Sequence, residues 1–162
     1  MIVRRIRPDE GPLLRHTRLE ALADAPTAFA MTHAEESDYP PEHWTRAAAE
    51  RSTGTDDATF FAEDDGDVVG LVGCYRSDDG PFHLVSMWVA PRGRGRGAAT
   101  ALTREVVELA RQAGAPGVSL WVEASNEPAI RLYESVGFTF DGTARPLPSH
   151  PEQTERRMTL DL

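Results

Sequence analysis

The run from Val89 to Thr100, V-A-P-R-G-R-G-R-G-A-A-T, interleaves three arginines with three glycines where an apolar stretch ends and a helical pattern begins. Such a strand-to-helix junction binds phosphate. The first backbone N–H groups of a helix have no intrahelical partner and carry the positive end of the helix dipole, and Gly97 and Ala99 keep side chains from covering them. Arg94 and Arg96 add charge at the same place.

Two well-known phosphate-binding patterns compete for this segment. A Walker-type loop needs a lysine and a hydroxyl residue directly after its glycines, and neither follows here. The dinucleotide fingerprint G-x-G-x-x-A does match at Gly93, Gly95 and Ala98, with Glu123 at the end of the next strand. That match lies mid-chain behind an antiparallel hairpin, whereas a dinucleotide fold carries it on an initial βαβ unit. Too little chain remains after it for a substrate domain.

A third reading takes in more residues. Val89, Pro91, Arg94, Gly95, Gly97 and Ala99 resemble the V-x-P-x-x-R-G-x-G-x-[GA] signature of the GNAT superfamily of acyl-CoA-dependent N-acetyltransferases. Asn126, Ala129, Leu132, Tyr133, Glu134, Gly137 and Phe138 are similar to that family's later N-x-x-A-x-x-L-Y-x-x-x-G-F block. The resemblance is specific from about Leu84 to Gly142 and topological outside that window.

The resemblance implies one N-acetyltransferase domain over residues 1–162, with acetyl-CoA as co-substrate and no metal. It implies an α/β fold with a mixed, mostly antiparallel sheet of about six to seven strands, about four flanking helices and a splayed central strand pair. Backbone groups of Met87, Trp88 and Val89 on the splayed strand would meet the pantetheine arm. The pyrophosphate would rest on the segment Arg94, Gly95, Arg96, Gly97, Ala98, Ala99 and Thr100, with Asn126 and Ala129 contacting the cofactor arm.

Acetyl transfer needs a neutral amine, a polarised thioester oxygen and a proton for the departing thiolate. By resemblance Tyr133 supplies that proton, since its ordinary pKa of ~10 lies above the ~8.5 of a thiol and keeps it protonated at neutral pH. Packing of its ring on the helix face is the alternative. No motif fixes the general base. Glu123 is the first candidate, because it ends the strand beside the splay, and a solvated strand-end charge is the alternative. In the subgroup that modifies protein N-termini a glutamate often stands where this chain has Trp121.

On the acceptor side, His33, Glu35 and Glu36 fall in a loop that similar proteins use as one wall of the cleft. A solvated acidic loop is the competing reading. Ser86 and His83 on the central strand have opposite facing, so one of them lines any given side. Trp88 and Trp121 shape an apolar acceptor pocket or pack in the core. His150 stands near the expected cleft with no partner that would support a metal site.

The elements that must position these residues follow from pattern. Ile2 to Ile6 reads as a strand, and Leu13, Leu14, Thr17, Leu19 and Leu22 recur at helical spacing. Pro26, Pro40 and Pro41 predict a solvent-facing loop over residues 23–42, then a short helix from about Glu42 to Arg51. Thr59 to Glu63 and Val68 to Tyr75 flank Asp64-Asp65-Gly66-Asp67 as a hairpin. Phe82 to Val89 is apolar on both faces and belongs centrally in the sheet. Ala98, Leu102, Val106, Leu109 and Ala113 share a helical face that Gly114 and Pro116 end. Val118 to Glu123 is a strand, Asn126 and Pro128 open a helix that ends at Gly137, and Phe138 to Phe140 and Arg157 to Leu162 are strands joined by a Pro-rich segment.

With 162 residues and 40% apolar content, the chain suits one domain with an ordinary core. A formal charge of -9 disfavours nucleic acid as a partner and favours cationic amines. No stretch approaches the ~20 apolar residues of a membrane span, and the N-terminus begins with the charged Ile2-Val3-Arg4-Arg5, so a soluble, cytoplasmic protein without a membrane partner is expected. The single Cys74 excludes an internal disulfide and reads as a small buried hydrophobe. A small-molecule amine is the leading acceptor, the alternatives being a protein N-terminus or lysine, and a degenerate acyl-CoA-binding module without turnover. A homodimer is carried as an expectation from the resemblance alone.

Overall fold

Each of the three middle strands is apolar on both faces, so the sheet they build must be covered on both sides. The computed structural model, which describes residues 1–162, meets that requirement with helices on each face. In chain order the elements are β1 (Ile2–Arg5), α1 (Gly11–Asp24), α2 (His33–Ser37), α3 (Pro41–Thr53), β2 (Asp57–Asp64), β3 (Asp67–Tyr75), β4 (Phe82–Val89), α4 (Ala98–Gln112), β5 (Gly117–Glu123), α5 (Glu127–Val136), β6 (Thr139–Leu147) and β7 (His150–Asp161). The seven strands lie in the order β1-β2-β3-β4-β5-β7-β6. Only β4 and β5 run parallel, joined by α4.

Alternation along the strands sorts the core into two layers. Phe60, Val72, Phe82 and Leu84 pack with Leu102 and Val106 of α4. Phe61, Leu71 and Trp88 pack with Leu14 of α1 and Trp44 of α3. The β2–β3 hairpin turns on Asp65 and Gly66, both at positive φ (51° and 87°), as a two-residue hairpin turn requires. The central place expected for Phe82–Val89 is found, with identical bounds.

Two local expectations change. The proline-bearing loop holds a short helix, α2, closed by a capping box between Thr32 and Glu35. The flanking helices therefore number five. The last two strands are longer than their apolar cores suggested, pairing as far as Leu147 with His150, so Pro146 lies within β6. Proline is tolerated there because β6 is the sheet edge.

Strand β4 also carries a bulge. Gly73 pairs with Val85 and Leu71 with Trp88, so Val72 faces two residues, Ser86 and Met87. Ser86 sits at φ 58°, a conformation that strains any residue with a side chain. The bulge resets the alternation and turns Trp88 toward the α1 and α3 layer.

Candidate active site

Strands β4 and β5 share three rungs, Phe82 with Val118, His83 with Ser119, and Leu84 with Leu120, and then separate. From Val85 to Val89 no residue of β4 pairs with β5, while β5 continues on β7 as far as Glu123 with Glu155. The β4 backbone edge at Met87, Trp88 and Val89 is thus without a strand partner beside the bulge. The separation expected of the central pair is present.

At the end of β4 the chain turns through Gly93, Gly95 and Gly97 into α4. Gly97 is the helix N-cap at φ 82°, Gly95 stands at φ 73°, and no side chain caps the helix. The first intrahelical bond runs from the N–H of Ala101 to the carbonyl of Gly97, which leaves the N–H groups of Ala98, Ala99 and Thr100 without intrahelical acceptors. A Cβ at Gly95 or Gly97 would meet nothing within 4 Å. These two glycines therefore keep space clear outside the helix end. Gly93 differs, since its Cβ would stand 2.8 Å from that of Val69 and packing demands the glycine. A cavity of about 210 Å³ lies against Val89, Arg94, Gly95 and the first residues of α4.

The arginines of the motif are not free. Arg92 bonds Glu20 at 2.6 Å, Arg94 bonds Asp24 at 2.6 Å and the carbonyl of Val89 at 3.0 Å, and Arg96 pairs with Asp64. Their side chains are about half exposed, so an arriving phosphate competes for them only against screened surface pairs. The unpartnered backbone amides are the fixed donors at this helix start. Asp24 also accepts from Trp88 Nε1 at 2.9 Å, which locks that ring into the core layer; Trp88 offers its backbone, not its ring, to the separated edge.

Helix α5 starts where β5 ends. Asn126 is its N-cap, with Oδ1 accepting from the N–H of Ala129 at 3.3 Å. Tyr133 is 5% exposed and meets Phe138 edge-on at 5.9 Å between centroids. Burial pushes its hydroxyl pKa upward, so the proton stays on at any physiological pH. The hydroxyl has no hydrogen-bond partner in the chain, and it is not among the atoms sealed from solvent. Glu123 accepts from both the N–H (2.9 Å) and the hydroxyl (2.6 Å) of Ser125, which commits its carboxylate to the β5–α5 turn.

A second cavity, of about 220 Å³, opens on the other side of β4, where Val85 and Ser86 meet α1, α2 and α3. Arg18, Glu36, His43, Trp44, Arg51 and Asp57 contribute to its wall. Glu36 is buried and paired with Arg18. Burial, reinforced by Arg51 and Arg46, lowers the His43 pKa and keeps the ring neutral at pH 7.

The residues expected on the acceptor side are redistributed. His33 and Glu35 are exposed and do not reach this cavity, because the capping box fixes Glu35 at the helix start and His33 bonds Ser37. Glu36, next along α2, is the residue that turns inward. Ser86 lines the cavity; His83 instead holds Ser119 Oγ at 2.7 Å and stacks near Tyr75. Trp121 is absent from the wall and lies under the guanidinium of Arg145, 3.9 Å from its ring centroid. His150 bonds Ser149 in the last hairpin. His43, Trp44 and Arg51 were missed, although Trp44, Ala47, Ala48 and Arg51 carry the i, i+3, i+4, i+7 spacing of an inward helix face. Cys74 is buried as expected, with its thiol pKa pushed up to about 12 by desolvation.

The anion site at the start of α4, the separated β4 edge and the tyrosine of α5 lie along one continuous segment of chain. Residues 20–138 match the family described as the acetyltransferase (GNAT) family. The chain belongs to that family. Among similar proteins is an uncharacterised N-acetyltransferase of Mycobacterium tuberculosis, 37% identical over 95 residues that cover 59% of this chain and 61% of that protein. Another is the mycothiol acetyltransferase of Thermomonospora curvata, 39% identical over 80 residues, 49% of this chain and 27% of that one. The chain thus spans less than two thirds of the length of either. In structure it superposes on yncA, a putative acetyltransferase of Salmonella typhimurium solved with acetyl-CoA, with TM-score 0.80 and 20% identity, over 100% of this chain and 94% of that one. That likeness shows the GNAT fold. No group of three His, Cys, Asp or Glu residues is arranged to hold a metal ion. No helix is long and apolar enough to cross a membrane.

Proposed function

We propose that this GNAT domain transfers an acetyl group from acetyl-CoA to the amine of a small molecule. The observation that carries the reading is the pairing of two spaces on either side of β4: an anion site with clear space beside Gly95 and Gly97, and a separate cavity that reaches Ser86 at the bulge. The cofactor supplies an acetyl group activated as a thioester. Amides of Ala98, Ala99 and Thr100 hold its phosphates, and the free β4 edge at Met87, Trp88 and Val89 orients its arm, with a backbone N–H there polarising the acyl oxygen.

In the balanced step an N–C bond forms, the C–S bond breaks, the amine loses a proton and the thiolate gains one. Tyr133 donates the second proton. His43 takes the first; it is neutral at pH 7 and lines the cavity, whereas the Glu123 carboxylate is held by Ser125. His43→Gln is expected to lower kcat by about a hundredfold at unchanged acetyl-CoA affinity. An unchanged kcat returns the role to Glu123 or to ordered water.

A small acceptor is supported by the cavity's volume, below the ~300–1,000 Å³ of drug-sized sites, and by a wall drawn from α1 to β4 with no residue of the β6–β7 hairpin. A groove for a protein N-terminus or lysine would run between that hairpin and the early helices. The relative named for mycothiol acts, by its name, on a small molecule as well. The reading is tested by following thiol release from acetyl-CoA with a panel of small amines and a panel of peptides. Release with the peptides alone would overturn the small-molecule acceptor, and release with neither would leave a binding module.

A further inference from the structure

The charges around the acceptor-side cavity are unevenly satisfied. Arg18 is spent on Glu36, which it also meets through Nε at 3.0 Å. Arg51, in the last turn of α3, lines the same wall, yet its guanidinium makes no ion pair or hydrogen bond within the chain. Burial holds the Arg51 pKa below its ordinary value, and Asp57, beyond ion-pairing distance, acts in the opposite direction. Its nitrogens are not among the atoms sealed from solvent, so the guanidinium faces the cavity uncommitted, and a carboxylate in a two-pronged contact is the group that best matches it.

Trp44 repeats the pattern. It is 3% exposed, it lines the cavity, and its Nε1 is the one buried side-chain polar atom in the chain without a hydrogen bond. Native proteins rarely leave such a donor unserved, and an indole in the same wall as Arg51, with its N–H bonded to nothing in the protein, is a sensitive reporter of what enters the cavity. Asp57 and Glu36 in the same wall limit how much negative charge can enter, which favours a singly charged carboxylate over a doubly charged phosphate. The Asp57 carboxylate, itself without an ion pair, suits the cationic form in which an amine arrives, before it gives its extra proton to solvent and enters the transfer step as the neutral amine.

We propose that the acceptor is a small amine that also bears a carboxylate, an amino acid or a close derivative, with Arg51 holding the carboxylate and the amine directed toward Ser86 at the β4 bulge. This rests on the acetyl-transfer reading above and narrows its substrate class.

Two measurements test it, one of them independent of turnover. In ¹⁵N spectra the indole resonance of Trp44, assigned with Trp44→Phe, is followed on titration with propionate, propionamide, alanine and alaninamide. The two carboxylates are expected to shift it saturably and the two amides to leave it in place. In the thiol-release assay, glycine, alanine, β-alanine, serine, aspartate and glutamate are compared with their amides in the presence of acetyl-CoA. At least one acid is expected to exceed its amide tenfold or more in kcat/KM, with the ratio falling toward one in Arg51→Gln and partway in Arg51→Lys. A Trp44 resonance that no carboxylate moves, or amides turned over as fast as acids, would overturn the proposal. Carboxylate binding without thiol release from any acceptor would uphold this site and remove the acetyl-transfer reading; thiol release indifferent to the carboxylate would do the reverse.

Discussion

Gly97→Glu is expected to weaken acetyl-CoA binding by at least about a hundredfold, close to 3 kcal/mol of binding free energy. At this N-cap a Cβ meets nothing in the protein, so the substitution introduces no internal clash. The backbone at φ 82° costs about 1–2 kcal/mol for a residue with a side chain, a loss a domain of this size withstands. What changes is the space outside the helix. A carboxylate placed there takes the position of the phosphates and sets a negative charge against them at the positive end of α4. Gly97→Ala separates the two effects, since it carries the backbone strain without the charge. Calorimetric titration of both variants, with melting curves as a check on folding, reads the result. Binding by Gly97→Glu equal to that of the unaltered chain would show that α4 does not hold the cofactor.

The second large effect is expected at Tyr133. Tyr133→Phe keeps the edge-on contact with Phe138 and removes only the hydroxyl, which has no partner in the chain whose loss could unsettle the fold. If the hydroxyl protonates the leaving thiolate, kcat falls by about 10²–10³-fold while the dissociation constant for acetyl-CoA is unchanged. Burial keeps the hydroxyl protonated across the working range, so this loss is the same at pH 7 and pH 9. A kcat within twofold of the unaltered chain would reduce Tyr133 to a packing residue.

The parts of this site that the sequence disclosed are those built from backbone. A glycine-rich turn between a buried strand and an amphipathic helix has few physical uses, so the junction at α4, with its open helix start and clear space beside Gly95 and Gly97, was legible in the pattern. Strand β4 was legible for a similar reason, because a run apolar on both faces has one place in a sheet. The bulge was not. It puts Ser86 at positive φ, where glycine would have signalled the turn, and strain in a serine leaves no mark in the pattern. The pairing of Arg92, Arg94 and Arg96 with Glu20, Asp24 and Asp64 was equally hidden, since those carboxylates come from α1 and β2 and are brought close only by folding.

The cavity between β4 and the early helices was hidden for a different reason. The prolines at 26, 40 and 41 suggested an open loop, and this masked both the Thr32–Glu35 capping box and the inward face of α3. As a result the candidate residues fell on His33 and Glu35, at the exposed start of α2, and missed His43, Trp44 and Arg51 one helix later. Long strands of mixed polarity caused the remaining error. Most of β6 is exposed, so its true length carries little apolar alternation to read.

Cofactor binding is tested by titrating the purified chain calorimetrically with acetyl-CoA, with NADH as the control. Saturable binding of one acetyl-CoA per chain is expected, and no heat beyond dilution from NADH. Absence of acetyl-CoA binding, or a preference for NADH, would contradict that expectation.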